Sequence, residues 1–91
     1  MLLKMYSLYD SKTEAYIAPF YSKAKGDAIR QISQIVNDPN SKHDFGKYPE
    51  DFTLFEIGIF DDSTGMVTPH MANENMGCLV NFKSSEPSSV N

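Results

Sequence analysis

Apolar and polar residues alternate from Leu2 to Tyr9, with Leu2, Tyr6 and Leu8 on one side and Leu3, Met5 and Tyr9 on the other. A period of two predicts a β-strand. Asp10-Ser11-Lys12-Thr13 has turn chemistry, because Asp and Ser side chains bond the backbone two residues on. A second strand, Glu14 to Phe20, is expected to return antiparallel, with Pro19 at its end or on an edge because it donates no ladder hydrogen bond. Ala28, Ile29, Ile32, Ile35 and Val36 then recur at helical spacing and predict an amphipathic helix over Lys23–Asn37. Asp27 suits its positive N-terminal end. Asn37, as a left-handed cap, and Pro39 should stop it.

Residues 38–51 show no period and read as a long connection, in which Tyr48-Pro49-Glu50-Asp51 suits a tight helical turn. Phe52 to Phe60 is the clearest strand: Phe55, Ile57 and Ile59 are expected on one face, and Leu54, Glu56, Gly58 and Phe60 on the other. Asp61-Asp62-Ser63-Thr64-Gly65 is a hairpin turn, with Met66–Thr68 starting a returning strand that Pro69 should end. Gly77 to Phe82 reads either as a fifth short strand or as a segment docked on the core. The expected fold is α+β: residues 1–83 form a single small domain, a mainly antiparallel sheet of four to five strands with one amphipathic helix on one face, in the order β-β-α-β-β. Residues 84–91 have the composition of a flexible tail.

Size and charge narrow the function. A chain of 91 residues that is 41% hydrophobic supports one modest core. No apolar run approaches the ~20 residues of a membrane span, the N-terminal stretch is too short for a signal peptide, and a cytosolic protein is expected. Eight basic and twelve acidic side chains give a net charge of −4, the wrong sign for a generic nucleic-acid coat. The distribution is uneven, however. Residues 1–47 carry seven basic and five acidic groups, whereas residues 48–91 carry Lys83 against seven acids. A basic face and an acidic face are thus both available, unless folding interleaves the two halves.

Catalytic chemistry finds little support. The two histidines, His43 and His70, and the one cysteine, Cys78, show no metal-ligand spacing and no activated nucleophile. Asp61 and Asp62 suit a turn better than a carboxylate pair, Cys78 suits a buried site, and Gly26 stands alone rather than in a phosphate loop. The reading is a protein that is not an enzyme and uses no metal or cofactor.

Binding is the alternative. Lys4, Tyr6, Tyr16, Phe20, Tyr21, Lys23, Lys25 and Arg30 interleave rings and cations over the first strands and the helix start, and Lys4, Tyr16, Tyr21, Lys23, Lys25 and Arg30 are the candidate contacts among them. Single-stranded nucleic-acid binders use that pairing, rings under bases and cations along phosphates. The same rings could instead be core, or form a subunit interface.

Several segments bear a resemblance. Tyr6-Ser7-Leu8-Tyr9-Asp10, Ala15-Tyr16-Ile17-Ala18-Pro19-Phe20, Ala28-Ile29-Arg30, Val36-Asn37-Asp38-Pro39, Tyr48-Pro49-Glu50-Asp51-Phe52-Thr53-Leu54-Phe55-Glu56-Ile57-Gly58 and Phe60-Asp61-Asp62-Ser63-Thr64-Gly65 stand in an order that resembles the small nonstructural protein of gokushovirus-type Microviridae, single-stranded-DNA phages. The likeness runs from Met5 to Pro69. It implies a protein of the infected bacterial cytoplasm, absent from the virion, that binds single-stranded DNA at the switch from genome replication to packaging. The residues named above are the candidate site for that DNA, and a small homo-oligomer is expected. The alternative is a protein-interaction adaptor that contacts replication or capsid proteins through its acidic face, without DNA.

Overall fold

In the computed structural model, which describes residues 1–84, strand β1 (Leu2–Asp10) is the axis of the sheet. On one side it pairs antiparallel with β4 (Phe52–Asp61), which pairs antiparallel with β5 (Met66–Cys78). On the other side β1 pairs antiparallel with two short pieces, β2 (Ala15–Tyr16) and β3 (Phe20–Ser22). Helix α1 (Lys25–Val36) packs on one face, so the α+β class and the β-β-α-β-β plan are as the periodicity predicts.

The helix docks through the residues that its period marks. Ala28, Ile32 and Val36 are buried at four-residue spacing against Tyr6 and Leu8 of β1 and Phe52 and Leu54 of β4. Burial of Ile32 and Val36 contributes about 1.5–3 kcal/mol each, and the small Ala28 lets the helix approach, so this seam holds the two layers together. Asn37 ends the helix differently from expectation. Its φ of −93° is not left-handed; instead its side-chain amide donates to the carbonyls of Ser33 and Phe82, at 2.8 and 3.0 Å. The helix end is thereby tied to the chain's last described turn, Leu79–Phe82, where Leu79 fills the core.

The connection over residues 38–51 holds a short helix, α2 (Asp44–Lys47), and a 3₁₀ turn at Pro49–Asp51, where Pro stands at the first position as its fixed φ favours. The Asp61 carboxylate accepts from the backbone N–H and hydroxyl of Ser63, at 2.9 and 2.6 Å, which is turn capping as its place in the sequence suggests.

Three local expectations are corrected. The returning strand after Thr13 is broken into β2 and β3, because the chain leaves the ladder between Ile17 and Pro19. Pro69 does not end the strand after the second hairpin: β5 continues for 13 residues to Cys78. It is the outer strand, where a missing donor interrupts no second ladder. Of the two readings of Gly77–Phe82, docking on the core is the one that holds: Gly77 and Cys78 close β5, and Leu79–Phe82 is a 3₁₀ turn whose Leu79 is buried in the core.

Lastly, the alternation of β4 changes phase at Ile57. Tyr6 opposes Glu56 while the adjacent Met5 opposes Gly58, so Ile57 is an extra residue. The bulge moves Phe60 onto the face of Phe55 and turns Ile59 to the opposite one. Across the other edge of β4 the irregularity is larger. Glu56 pairs Glu74 and Gly58 pairs Pro69, leaving His70, Met71, Ala72 and Asn73 opposite Ile57 alone.

This crowding explains Gly58. A Cβ there would lie 2.7 Å from the Thr68 carbonyl oxygen, a backbone atom that cannot swing away. Gly58→Ala is expected to destabilise the fold by about 1–2 kcal/mol through overpacking, with the loss read by denaturant titration. A neutral result would show that the β4–β5 hairpin shifts freely at the bulge. Of the expected tail, 84–91, Ser84 alone is described, and its N–H donates to Asn37 Oδ1; the remainder lies outside the described residues.

Candidate nucleic-acid interface

Alternation along β1 decides which rings are available. Tyr6 and Leu8 turn to the helix, so Leu3, Met5, Ser7 and Tyr9 belong to the opposite face. Register then brings Tyr16 and Thr53 beside Tyr9, Phe55 beside Ser7, Tyr21 and Gly58 beside Met5, and Phe60 beside Leu3. None of the positions so placed on this face, from Tyr16 and Tyr21 across β1 to Thr53, Phe55 and Phe60, holds Asp, Glu, Lys or Arg. No helix covers it.

The rings form two groups. Tyr16 lies edge-on to Tyr9 and to Phe55, with centroids 5.1 and 5.7 Å apart, and Tyr21 tilts against Phe60 at 5.5 Å. Beneath them the face is lined with small groups. Ser7 is buried and its hydroxyl donates to the Ile17 carbonyl at 2.7 Å, an arrangement that lets the flanking rings close over it. Tyr16 and Tyr21 remain 47% and 45% exposed, which leaves ring surface for a planar ligand. Asn73, from the β5 bulge, reaches across to the Tyr16 hydroxyl at 3.5 Å.

The six residues singled out from sequence do not share one surface. Tyr16 and Tyr21 stand on the open face, in different ring groups. Lys4 has the parity of Tyr6, between Ser22 and Ile59, and so belongs to the helix side. Lys25 is ion-paired with Glu74 of β5. The hydrogen bond from Lys25, reinforced by the charges of Lys25 and Lys4, holds the Glu74 carboxyl below its usual range. Lys23 and Arg30 lie near Asp27 at the edge where β3 ends. Asp27 is held low chiefly by hydrogen bonds from Ser22 and Gln31, with smaller contributions from the charges of Arg30 and Lys23. The structure thus groups Tyr21, Lys23 and Arg30 at one edge, leaves Tyr16 further along the same open face, and turns Lys4 and Lys25 toward Glu74.

Sequence reasoning missed two features. Tyr9, Phe55 and Phe60 join the exposed tyrosines only through register and the bulge at Ile57. Glu56 is a carboxylate in the middle of an apolar strand, and its isolation between Phe55 and Ile57 was the available signal. It is 5% exposed on the helix side of β4 and bonds His70 Nε2 through Oε2 at 2.7 Å. Its Oε1 and the Tyr6 hydroxyl, both fully enclosed, make no hydrogen bond of ordinary geometry among the described residues, although Tyr6 and Glu56 face each other across the ladder and Glu56 acts on the phenol as an acceptor. Burial, aided by the neighbouring Glu56, pushes the Tyr6 phenol up to about 12.

Cys78 is partly exposed rather than buried, its thiol 3.5 Å from the Pro49 carbonyl. Among the described residues no group of three or more His, Cys, Asp or Glu is placed to hold a metal ion, and no helix is long and apolar enough to cross a membrane.

Comparison with known proteins gives a coherent result. Residues 3–82 match the family model described as phage ORF5 protein. The chain is also 41% identical over 66 residues to Protein ORF5 of Chlamydia phage 1, covering 70% of this chain and 69% of that one. No solved structure matches. The resemblance to the small gokushovirus-type Microviridae protein therefore holds, and the match extends past Pro69 into the region where that resemblance stopped. Through this match over nearly all of its described length, the chain belongs to the phage ORF5 protein family.

Proposed function

We propose that this protein binds single-stranded DNA on the open face of its sheet, in the cytoplasm of the infected bacterium and outside the virion, as the phage genome passes from replication to packaging. One observation carries the reading: an uncovered face with two groups of half-exposed rings and no charged side chain at its register positions. Bases stack on such rings irrespective of sequence, and a sheet with its helix on the far side is a recurrent platform for this. Lys23, which lines a cleft with Tyr21, and Arg30, whose charge acts on Asp27 of the same cleft, supply phosphate contacts. Among the described residues the acids fall on the helix side or in turns and connections, so they do not oppose a strand laid on the open face. In this reading the protein is a binder without catalytic chemistry, metal or cofactor.

Fluorescence polarisation of a labelled single strand, with duplex as control, is the direct test. Lys23→Glu with Arg30→Glu is expected to weaken binding about tenfold at ~50 mM salt, by a similar factor for every sequence, and to flatten the salt dependence. Unchanged affinity and slope would remove this edge from the interface. Absence of single-strand binding at low salt would remove the function.

A second reading, contact with a replication or capsid protein or with another copy of the chain, is favoured by a different observation. Leu2, Met66 and Val67 at the hairpin end, and Met71 on the β5 bulge, are large apolar groups exposed by half or more. Exposed apolar clusters of this kind mark protein contacts. Sedimentation of the purified chain, and capture from infected cells after nuclease treatment, separate self-association from a foreign partner.

A further inference from the structure

The edge beside Tyr21 has a shape and a chemistry that general strand binding does not require. Register would place Lys23 opposite Leu3, but β3 stops at Ser22 and the chain turns away to start α1. A cleft of about 490 Å³ opens where the two strands part, lined by Leu3, Tyr21, Ser22, Lys23 and Asp27. That volume lies in the usual range for small-ligand sites. Its apolar side is Leu3 and the Tyr21 ring. Lys23, exposed to solvent, also lines it.

The polar side is held in place. The buried Ser22 hydroxyl donates to Asp27 Oδ2 at 2.6 Å, and the Gln31 amide donates to the same oxygen at 3.2 Å. Asp27 Oδ1 is left without a hydrogen bond among the described residues. A fixed carboxylate oxygen with no donor of its own can only accept. Beside an aromatic ring and a cation, it selects a ligand with a planar face, an anionic group and an outward N–H.

Resting on the DNA-binding reading, we propose that this cleft seats one nucleotide and reads its base. The base lies on Tyr21 against Leu3, its phosphate meets Lys23, and Asp27 Oδ1 accepts from the base's exocyclic amine. Cytosine and adenine present that amine. Thymine presents a carbonyl at the same position, whose lone pairs face the carboxylate. The cleft therefore discriminates against thymine. Stacking surfaces alone set preferences by stacking strength and backbone flexibility, so a hydrogen-bonded preference has a separate origin.

Cytosine and thymine are the cleanest comparison, since both are pyrimidines with similar stacking area. Oligomers of about ten nucleotides, dC or dT, fit a single small domain. The full chain is expected to bind dC roughly three- to fivefold more tightly than dT, the low end for one carboxylate–amine contact because Asp27 is exposed. In Asp27→Asn the side-chain oxygen still accepts from Ser22, while the amide can donate to thymine. The dC/dT ratio should fall to about one, while the lost charge in the first turn of α1 lowers the melting temperature only slightly and leaves the protein folded. Wild-type protein supplies an independent arm: replacing the cytosines by N4,N4-dimethylcytosine removes the donor without touching the chain, and affinity should drop to the dT level or below.

Equal or tighter binding of dT by the wild type overturns the assignment, as does a dC preference that survives both Asp27→Asn and N4 methylation. In those outcomes strand binding itself stands. Failure of both oligomers to bind at low salt overturns the assignment together with the reading beneath it.

Discussion

Alanine at both Tyr16 and Tyr21 is expected to weaken single-strand binding by about thirtyfold or more, the larger of any two-residue effect on this surface. A base stacked on an aromatic side chain contributes about 1–3 kcal/mol by alanine substitution, so two such platforms contribute about 2–6 kcal/mol together. The rings belong to different groups, Tyr16 with Tyr9 and Phe55, Tyr21 with Phe60, and their losses should be nearly additive. Tyr16→Phe with Tyr21→Phe keeps the faces of both rings and should bind within a few-fold of wild type. Polarisation titrations of the two double variants make the comparison. Equal affinities for the alanine and phenylalanine pairs would mean that the rings are not the platform, and the exposed apolar hairpin end would become the working surface. Both rings are about half exposed, so a melting curve on each variant separates lost stacking from lost fold.

The second large effect concerns stability. Removing the imidazole in His70→Ala deprives Glu56 Oε2 of its partner, in a carboxylate whose Oε1 makes no hydrogen bond of ordinary geometry. A carboxylate 5% exposed then loses the hydrogen bond from His70, a cost of about 2–3 kcal/mol. In a domain of this size that lowers Tm by roughly 10–20 °C. Glu56→Met in the His70→Ala background removes the carboxylate and keeps the side chain's length, and most of the loss should return. Thermal and denaturant melts of the wild type, the two single variants and the double variant form the cycle. A His70→Ala protein as stable as wild type would show that water satisfies Glu56 at no cost. Because His70 begins the four-residue excursion of β5, this bond also pins the bulge to β4.

Local chemistry was legible wherever its cause was local. The helix was written in the spacing of Ala28, Ile32 and Val36, and the turns in Asp10 and Asp61, whose carboxylates bond N–H groups two residues on. β1 and β4 followed from alternation, and the α+β class from having one helix to cover one face. Family membership was legible as well, since six segments in order carry it. Of the candidate site, a mixture of rings and cations was legible, but their grouping in space was not.

Tertiary structure decided the grouping, because it depends on which residues meet across strands. Parity along one strand is local, but one extra residue at Ile57 inverts it for everything beyond, and that is how Phe60 comes to sit with Tyr21. The extent of β5 was equally hidden: Pro69 is a strand breaker in the interior of a sheet and a tolerated residue on its edge, and sequence alone does not say which strand is outermost. Charge behaved in the same way. Lys25 reads as a free cation until folding brings Glu74, 49 residues on, to its ammonium, whereas Lys23 two residues earlier lines a cleft. Hydrophobic period is a property of neighbours in the chain and was determined by sequence; register, edges and ion pairing are properties of neighbours in space, and only the folded sheet determines them.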